Sequence, residues 1–369
     1  MEDVVIVGAG PCGLSAAAEL QDKGFNPLLF EKENVGYSIS RYPVNMQFFS
    51  TAPMLEIAGV PFITPNDKPS RLEALNYYRI VSERRELRIR RYEAVTAVER
   101  VQDAFRVTSV GRSGQPSVTM ARKVVIATGY FDHPNRIGIP GEDHAHVSHF
   151  FTEAHPYAGT RVVVIGGSNS AVDSALEMER VGAKVTVVYR GESVSANIKP
   201  WVRPIFDSYT AKGRIDLRLN SRVVEIGYDQ VTLESVRVDD KAGAEDGIGR
   251  NQGQDADAQG TGSLPEEGES GTLASGETRI VRETLPADFV LALTGFRPDR
   301  GFLRAMGVEA PDGVIPPTHD PDTMETNVPG LYLAGVVSTG RDANEIFIES
   351  GRYHGRKIAE HLAALRARS

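Results

Sequence analysis

The sequence predicts an α/β fold with two Rossmann-like units, and three observations carry that prediction. A buried-type strand, a glycine-rich turn and a helix open the chain at residues 4–22, and another strand follows at Leu28–Glu31. The same order of strand, glycine-rich turn, helix and strand recurs at residues 161–190. Apolar runs that end in Thr-Gly, at residues 123–129 and 289–295, add one more strand to each half. Strands that alternate with helices in this way build parallel sheets covered by helices.

The composition is that of an ordinary globular protein of two domains. The 369 residues exceed what one small core organises, and 41% of them are hydrophobic and 24% charged. The net charge of -8 would be repelled by a phosphate backbone, so nucleic acid is not expected as a partner. The longest apolar runs are strand-sized and the chain starts with two acids, so neither a membrane span nor a targeting segment is expected.

The first glycine-rich turn predicts a dinucleotide site. Gly8, Gly10 and Gly13 form a complete G-x-G-x-x-G between a strand and a helix, and the helix N-terminus supplies N–H groups for a pyrophosphate. An acid at the end of the next strand is placed to accept hydrogen bonds from a ribose hydroxyl. The residues predicted to bind this dinucleotide are Gly8, Gly10, Pro11, Cys12, Gly13, Glu31 and Lys32.

The second turn predicts a site for a nicotinamide nucleotide with a 2′-phosphate. The strand after this turn ends in Tyr189-Arg190, where an acid would select the 2′-hydroxyl of NADH. A guanidinium can pair with a phosphate in a bidentate way, so NADPH is favoured over NADH. Lys199 and Arg203 follow in a loop, either as further phosphate ligands or as surface charge. The residues predicted to bind this nucleotide are Gly166, Gly167, Ser168, Asn169, Ser170 and Arg190.

Residues 239–279 differ in composition from the rest of the chain. Gly, Asp, Glu, Ser and Gln dominate there, and such a segment cannot bury enough apolar area to offset its ordering entropy. Strand-like residues flank it at Val231–Val238 and Arg279–Arg282. We therefore predict a flexible insertion in an elongated hairpin, with a functional lid as the less favoured alternative.

The order of these motifs resembles that of two-domain flavoproteins such as thioredoxin reductase. The resemblance covers nearly the whole chain apart from the insertion. It implies a discontinuous FAD-binding domain formed by residues 1–155 and 298–369, and an NADPH-binding domain formed by residues 156–297 with a flexible insertion at 239–279.

The same resemblance implies where the flavin nucleotide lies. The backbone near Val95 would meet the adenine, Thr128 and Gly129 would lie close to the cofactor, and the loop after Gly335 would approach the flavin. Relatives of this type carry Gly-Asp at the last position, where the Asp holds the ribityl chain. Here the pair is Gly335-Val336, so a backbone N–H would have to substitute for that carboxylate.

Longer motifs resemble the bacillithiol-disulfide reductase family of flavoproteins. They read GAGPCGLSAA, RYPVNMQFFST, EAHPYAGTRVVVIGGSNSAVDSALE, LYLAGV and NEIFIESGRYHG. The resemblance implies FAD, NADPH and a small-molecule disulfide, bacillithiol disulfide, as substrate in thiol redox homeostasis. That family carries a cysteine at the position of Cys12, which has been suspected as its redox residue.

Cys12 is the one cysteine of the chain, which excludes an intrachain disulfide and a C-x-x-C relay. A reducing, cytoplasmic location is therefore expected. At the start of a helix, the dipole and free N–H groups favour a thiolate and would lower the pKa of Cys12. The alternatives are a redox thiol and a small packing residue in that slot.

Histidines supply the remaining titratable candidates. His354, on a helix predicted from about residue 345 to 365, could donate a proton to a leaving thiolate, although packing at an interface is the more common role of such a residue. His144, His146, His149 and His155 are close in sequence but lack a regular ligand pattern, so no metal is predicted.

Three functions therefore stand in order of preference. The first is an NADPH-dependent flavoprotein disulfide reductase, expected to be a homo-oligomer. The second is a flavin-dependent monooxygenase or a ferredoxin- or thioredoxin-reductase-like NADPH oxidoreductase, although no clear F-x-G-x-x-x-H motif of monooxygenases precedes the second turn. The third is a nucleotide sensor without enzymatic activity.

Overall fold

The structure is a computed structural model that describes residues 1–238, 278–340 and 346–368. The strands, in chain order, are β1 Glu2–Val7, β2 Leu28–Glu31, β3 Arg88–Arg91, β4 Ala94–Val101, β5 Ala104–Val110, β6 Pro116–Ile126, β7 Val147–Ser148, β8 Arg161–Ile165, β9 Lys184–Val188, β10 Ile215–Arg218, β11 Ser221–Ile226, β12 Gln230–Val238, β13 Thr278–Pro286, β14 Phe289–Ala292 and β15 Leu331–Leu333. The helices are α1 Pro11–Asp22, α2 Tyr37–Ser40, α3 Ala52–Leu55, α4 Arg71–Arg84, α5 Asn169–Arg180, α6 Arg203–Ala211, α7 Arg300–Ala305, α8 Ile348–Gly351 and α9 His354–Arg368, with short 3₁₀ turns at His155–Tyr157 and Gly335–Ser338.

The first sheet carries the first glycine-rich turn. Its parallel part has the order β3, β2, β1, β6, β15, and the runs at its centre are apolar and fully buried. The amino-terminal half of the long strand β6 pairs instead with β5 in an antiparallel three-stranded arrangement that ends in β4. Parallel strands that are buried on both faces have continuous apolar sequences, and for this reason the sequence predicted these strands.

The second sheet repeats this plan. Strands β10, β9, β8, β14 and β7 are all parallel, and β11, β12 and β13 form a separate antiparallel sheet. Strand β7 lies at residues 147–148, within the range that the sequence assigned to the first unit, and it pairs with β14 of the second sheet. The predicted α/β fold with two Rossmann-like units is confirmed.

The carboxyl-terminal helix completes the first unit by packing on α1. A methyl group added at Gly355 of α9 would stand 2.4 Å from the Cα atom of Ala16 on α1, so the glycine permits close contact between the helices. One continuous helix over residues 345–365 was predicted, and this was wrong: α8 ends at Gly351 and α9 begins at His354. The Arg352 carbonyl between them accepts a hydrogen bond from the Ser15 hydroxyl (2.7 Å) instead of serving a helical N–H.

The segment at 239–279 falls outside the described residues, except for its last two positions. Those two positions begin β13, which pairs along its whole length with β12, so the predicted hairpin strands are confirmed. Within the described ranges, no helix combines the length and the apolar character that a bilayer span requires.

Candidate functional site

The carboxyl ends of β1, β2, β6 and β15 meet at one edge of the first sheet, and most residues of the predicted flavin site lie there. Gly8 follows β1 with a φ of +109°, and an added methyl group would stand 2.4 Å from the Ala127 carbonyl oxygen. A methyl group at Gly13 would lie 2.1 Å from the Gly8 oxygen. Both glycines are therefore required because backbone segments approach each other closely.

Space remains open above Gly10, in contrast to its two neighbours in the motif. A methyl group built there meets no atom within 4 Å. Gly10 is the N-cap of α1, and this helix has no side-chain cap and no acidic residue in its first turn. An open space in front of an uncapped helix N-terminus fits a pyrophosphate group.

Glu31 lies at the end of β2, beside this turn. Its Oε2 accepts a hydrogen bond from the Ala9 N–H (2.8 Å) and its Oε1 one from the Glu33 N–H (3.2 Å). Burial raises the pKa of this carboxyl group, while the two N–H donors act in the opposite direction. The carboxylate is thus fixed by backbone contacts at the position from which a ribose hydroxyl could be bound.

Lys32 contacts a loop that sequence reasoning did not single out. Its Nζ lies 2.6 Å from Oδ2 of Asp132, which follows β6, and the other oxygen of Asp132 accepts a hydrogen bond from Arg41 (3.1 Å). The Arg41 guanidinium in turn lies over the Phe150 ring at 4.0 Å. The loops after β2 and β6, which flank the first turn, are therefore joined by an ion pair.

The other predicted flavin residues lie around the same edge. Thr128 and Gly129 directly follow β6, next to the Ala127 carbonyl that contacts Gly8. Val95 lies near the start of β4, which is held to the end of β2 by a hydrogen bond from the Glu93 N–H to the Glu31 carbonyl (2.9 Å). Val336 lies in the 3₁₀ turn at 335–338, with part of its surface exposed.

Cys12 is packed against the carboxyl-terminal part of the chain. Methyl groups added at Gly335 and Gly351 would stand 2.8 and 2.9 Å from its Sγ, so the sulfur lies against both glycines. Burial raises the pKa of the thiol to about 12. The expected lowering of this pKa was therefore wrong, because loss of water around the sulfur outweighs the field of the helix N-terminus.

His354 is buried at the first position of α9. Its Nδ1 accepts a hydrogen bond from the Gly335 N–H (3.1 Å), and burial lowers the pKa of the imidazole to about 4. The ring is therefore neutral at pH 7, with its proton on Nε2. In this arrangement His354 positions the Gly335 turn beside Cys12.

The second turn has the same plan at the ends of β8, β9 and β14. A methyl group at Gly166 would stand 2.5 Å from the Leu293 carbonyl oxygen, and one at Gly167 would stand 2.4 Å from the Tyr189 ring. Ser168 is the N-cap of α5, whose start has no side-chain cap. Ser168 and Ser170 are exposed, so the helix N-terminus is open to a phosphate.

Arg190 lies two residues after the end of β9 and its side chain is exposed, as a ligand for a 2′-phosphate requires. The two additional basic candidates are engaged elsewhere. Lys199 forms an ion pair with Asp173 (2.6 Å), and Arg203 contacts Asp207 (3.3 Å).

Asn169 contacts protein rather than open space. Its side chain accepts a hydrogen bond from the Lys199 N–H (3.0 Å) and donates one to the Asn197 carbonyl (2.9 Å). The side chain of Asn169 therefore joins the loop after β9 to the second glycine-rich turn. Only its backbone remains available for the predicted contact with the nucleotide. This contact between positions 30 residues apart has no signature in the sequence.

The histidine-rich linker packs against the turn between β11 and β12 of the antiparallel sheet. The His144 ring stacks on Tyr228 (4.6 Å between centroids), and His146 contacts the Gly227 carbonyl (3.0 Å). His149 lies 3.5 Å from the Glu142 carboxylate. In the part of the chain that the structure describes, no group of three or more His, Cys, Asp or Glu side chains could hold a metal ion.

Known proteins match this chain over nearly its whole length. The family model described as pyridine nucleotide-disulphide oxidoreductase matches residues 5–246 and 265–335. Bacilliredoxin reductase Bdr of Bacillus subtilis (strain 168) is 41% identical over 362 residues, which cover 98% of each chain. The solved structure of bacillithiol disulfide reductase Bdr (YpdA) from Bacillus cereus is 40% identical with a TM-score of 0.84, and that from Staphylococcus aureus is 37% identical with a TM-score of 0.83, each covering 99% of both chains.

Proposed function

The chain belongs to the pyridine nucleotide-disulphide oxidoreductase family, and from that premise we propose that it is an NADPH oxidoreductase that reduces bacillithiol disulfide to bacillithiol. The proposed substrate rests on one observation. Proteins named bacillithiol disulfide reductase match this chain over 99% of its length, in sequence and in structure. The family implies a flavin and a nicotinamide nucleotide as cofactors. When bound, the flavin would accept a hydride from the nicotinamide and supply two electrons to a disulfide.

The flavin nucleotide is proposed to be FAD, bound at the first turn. The open space at Gly10, the uncapped start of α1 and the fixed carboxylate of Glu31 fit a pyrophosphate and a ribose. The proposed FAD domain comprises residues 1–155 and 298–369, and the proposed NADPH domain residues 156–297. The strands of the first sheet lie at residues 2–126 and 331–333, which supports a discontinuous first domain. Strand β7, at residues 147–148, pairs with the second sheet and would place the boundary before residue 147.

The nicotinamide nucleotide is proposed to be NADPH. An exposed guanidinium stands at the end of β9, where a carboxylate would repel a 2′-phosphate. The start of α5 is open toward the same side, which suits the pyrophosphate of that nucleotide. We further propose that the enzyme is a homo-oligomer. We place it in a reducing, cytoplasmic compartment, because the one cysteine offers no intrachain disulfide.

Cys12 is proposed as the redox thiol. Its thiolate would attack one sulfur of the substrate, releasing one bacillithiol and leaving a mixed disulfide at Sγ. The first bacillithiol would leave as a thiolate and take up the proton lost from Sγ. Two electrons from the bound, reduced flavin and two protons would then restore the Cys12 thiol and release the second bacillithiol as a thiol. Because burial raises the pKa of Cys12 to about 12, attack requires that the Sγ proton be removed as the sulfur becomes accessible. The alternative is that Cys12 only packs against Gly335 and the bound flavin acts directly on the substrate.

A Cys12→Ala variant separates the two routes. If Cys12 is the redox thiol, the variant keeps FAD, is bleached by NADPH at a rate close to that of the unaltered protein, and loses disulfide reduction. Loss of FAD would assign the residue a structural role. Full disulfide reductase activity would exclude the thiol route, and the flavin would then act directly.

Acceptor choice tests the proposed function itself. We expect NADPH consumption by the purified yellow protein to be faster with bacillithiol disulfide than with glutathione disulfide or with oxygen. Equal rates with all three acceptors, or a stable flavin hydroperoxide under air, would overturn the proposal and favour a monooxygenase.

A further inference from the structure

Two lysine side chains cross between the two dinucleotide-binding units, in opposite directions. The Lys199 Nζ lies 4.0 Å from the centroid of the Phe49 ring, and the Lys68 Nζ lies 3.8 Å from that of the Trp201 ring. Phe49 and Lys68 belong to the segment between α2 and α4 of the first unit, whereas Lys199 and Trp201 belong to the loop between β9 and α6. Each unit therefore contributes one ammonium group and one aromatic ring.

One of these contacts is anchored directly to the second glycine-rich turn. The Lys199 ammonium pairs with Asp173 on the first turns of α5 (2.6 Å), and the Lys199 N–H donates to the Asn169 side chain at the start of the same helix (3.0 Å). Only 14% of the Lys199 side chain is exposed. A movement of Phe49 relative to Lys199 is therefore a movement of the first unit relative to the turn that receives the nicotinamide nucleotide.

Hydride transfer makes this geometry important. The reacting atoms of the nicotinamide and the flavin must approach to about 3–3.5 Å, although the two nucleotides are held by different units. An ammonium over an aromatic face is attractive and directional, which makes it suited to fix how two surfaces meet. Two such contacts of opposite direction restrict sliding as well as separation.

We propose that the Lys199–Phe49 and Lys68–Trp201 contacts, termed here the crossed lysine contacts, position the nicotinamide-binding unit on the flavin-binding unit for hydride transfer. The inference rests on the proposed function, in which NADPH is oxidised and the flavin is reduced by one hydride. The four residues act as positioning residues, because each acts through the placement of the two units.

The first test measures flavin bleaching by saturating NADPH without oxygen. Phe49→Leu keeps an apolar side chain and removes one contact, and Lys68→Met removes the other. We expect each variant to be bleached about fivefold more slowly, with unchanged affinity for NADP⁺, since weak cation–π contacts have about this effect. Phe25→Leu is the matched control, because the Arg366 guanidinium covers Phe25 at 3.5 Å within the first unit.

The second test does not depend on NADPH oxidation, so it separates failure of this inference from failure of the proposed function. Trp201 is the one tryptophan of the chain. If the crossed lysine contacts act together, Phe49→Leu changes the Trp201 emission of the oxidised protein, because loss of one contact displaces the Lys68 ammonium from the face of the indole, which is itself 55% exposed. Phe25→Leu leaves the emission unchanged. Unaltered emission in Phe49→Leu, or bleaching as fast as or faster than in the unaltered protein, would overturn the inference.

Discussion

At the scale of single residues, Arg190 has the most direct consequence for cofactor choice. Its exposed side chain follows β9, and one bidentate, charge-assisted pair with a phosphate contributes about 1.5–3 kcal/mol. Replacing Arg190 by Ala should therefore raise the KM for NADPH roughly 10- to 100-fold and leave the KM for NADH nearly unchanged. Steady-state kinetics with both nucleotides measure this ratio.

Arg203→Ala is the control for this prediction. Its side chain contacts Asp207 and the Ser195 carbonyl, so its loss should affect both nucleotides alike. A selective loss of NADPH binding in Arg203→Ala, with none in Arg190→Ala, would place the phosphate site at the start of α6 instead.

Because His354 is buried and neutral, we expect the free energy of unfolding to depend on pH. Its pKa in the folded protein is about 4, against an ordinary value near 6.5 in the unfolded chain. As the pH falls below 6.5, the unfolded chain takes up a proton that the folded protein refuses, so stability falls until about pH 4 and the loss then stops. At pH 5 the loss from this group should reach up to about 2 kcal/mol.

A His354→Asn variant isolates the contribution of this group. The Asn side chain can still accept the hydrogen bond from the Gly335 N–H but cannot titrate. The difference in free energy of unfolding between the two proteins, measured in urea at pH 7 and at pH 5, should shift in favour of the variant at the lower pH. A constant difference over this range would contradict the buried, neutral state of His354.

Residue types alone did not predict which contacts the site residues make. The close backbone approaches at Gly8 and Gly13 were predictable because the strand, turn and helix of this motif bring those segments together locally. The pKa of Cys12 was predicted in the wrong direction because Gly335 and Gly351, more than 300 positions later, pack against its sulfur and reduce its contact with water. Contacts between residues so far apart in sequence leave no periodic pattern.

At the scale of elements, the turn between β1 and α1 predicts different outcomes for two glycines of one motif. Gly10 has a φ of -77°, and an added methyl group would meet only open space, so Gly10→Ala should fold with a change in stability of about 1 kcal/mol or less. The same methyl group would occupy the space proposed for the pyrophosphate, so the variant should not retain FAD. Flavin absorbance per protein and urea unfolding of the FAD-free protein measure both effects.

Gly13→Ala provides the contrast. Its methyl group would stand 2.1 Å from a backbone oxygen, so this variant should be strongly destabilised with or without FAD. If Gly10→Ala binds FAD as the unaltered protein does, the pyrophosphate lies away from the first turn and the assignment of this site is wrong.

Strands were easier to predict than helix ends. The runs Val4–Val7 and Val162–Ile165 are continuous and apolar because both faces of a parallel strand are buried. The break between α8 and α9 was missed because its cause is tertiary. The Arg352 side chain donates to the Glu56 carbonyl (2.6 Å), and its own carbonyl accepts from the Ser15 hydroxyl.

At the scale of the whole molecule, two repeated units were predictable because each repeats the same strand and turn pattern. How the units meet was not predictable, since the crossed lysine contacts join loops that are about 130–150 positions apart and have no common motif. The same limit applies to the ion pair between Lys32 and Asp132, which joins the loops after β2 and β6. Motifs identify nucleotide turns, whereas the relation between turns is set by packing.

We propose that this protein transfers two electrons from NADPH to one bacillithiol disulfide. The stoichiometry of the reaction tests this proposal most directly. Under anaerobic conditions with limiting disulfide, NADPH loss at 340 nm and thiol formation are measured in the same reaction. We expect one NADPH to be oxidised and two thiols to appear for each disulfide consumed. NADPH oxidation without thiol formation, or no oxidation until oxygen is admitted, would contradict it.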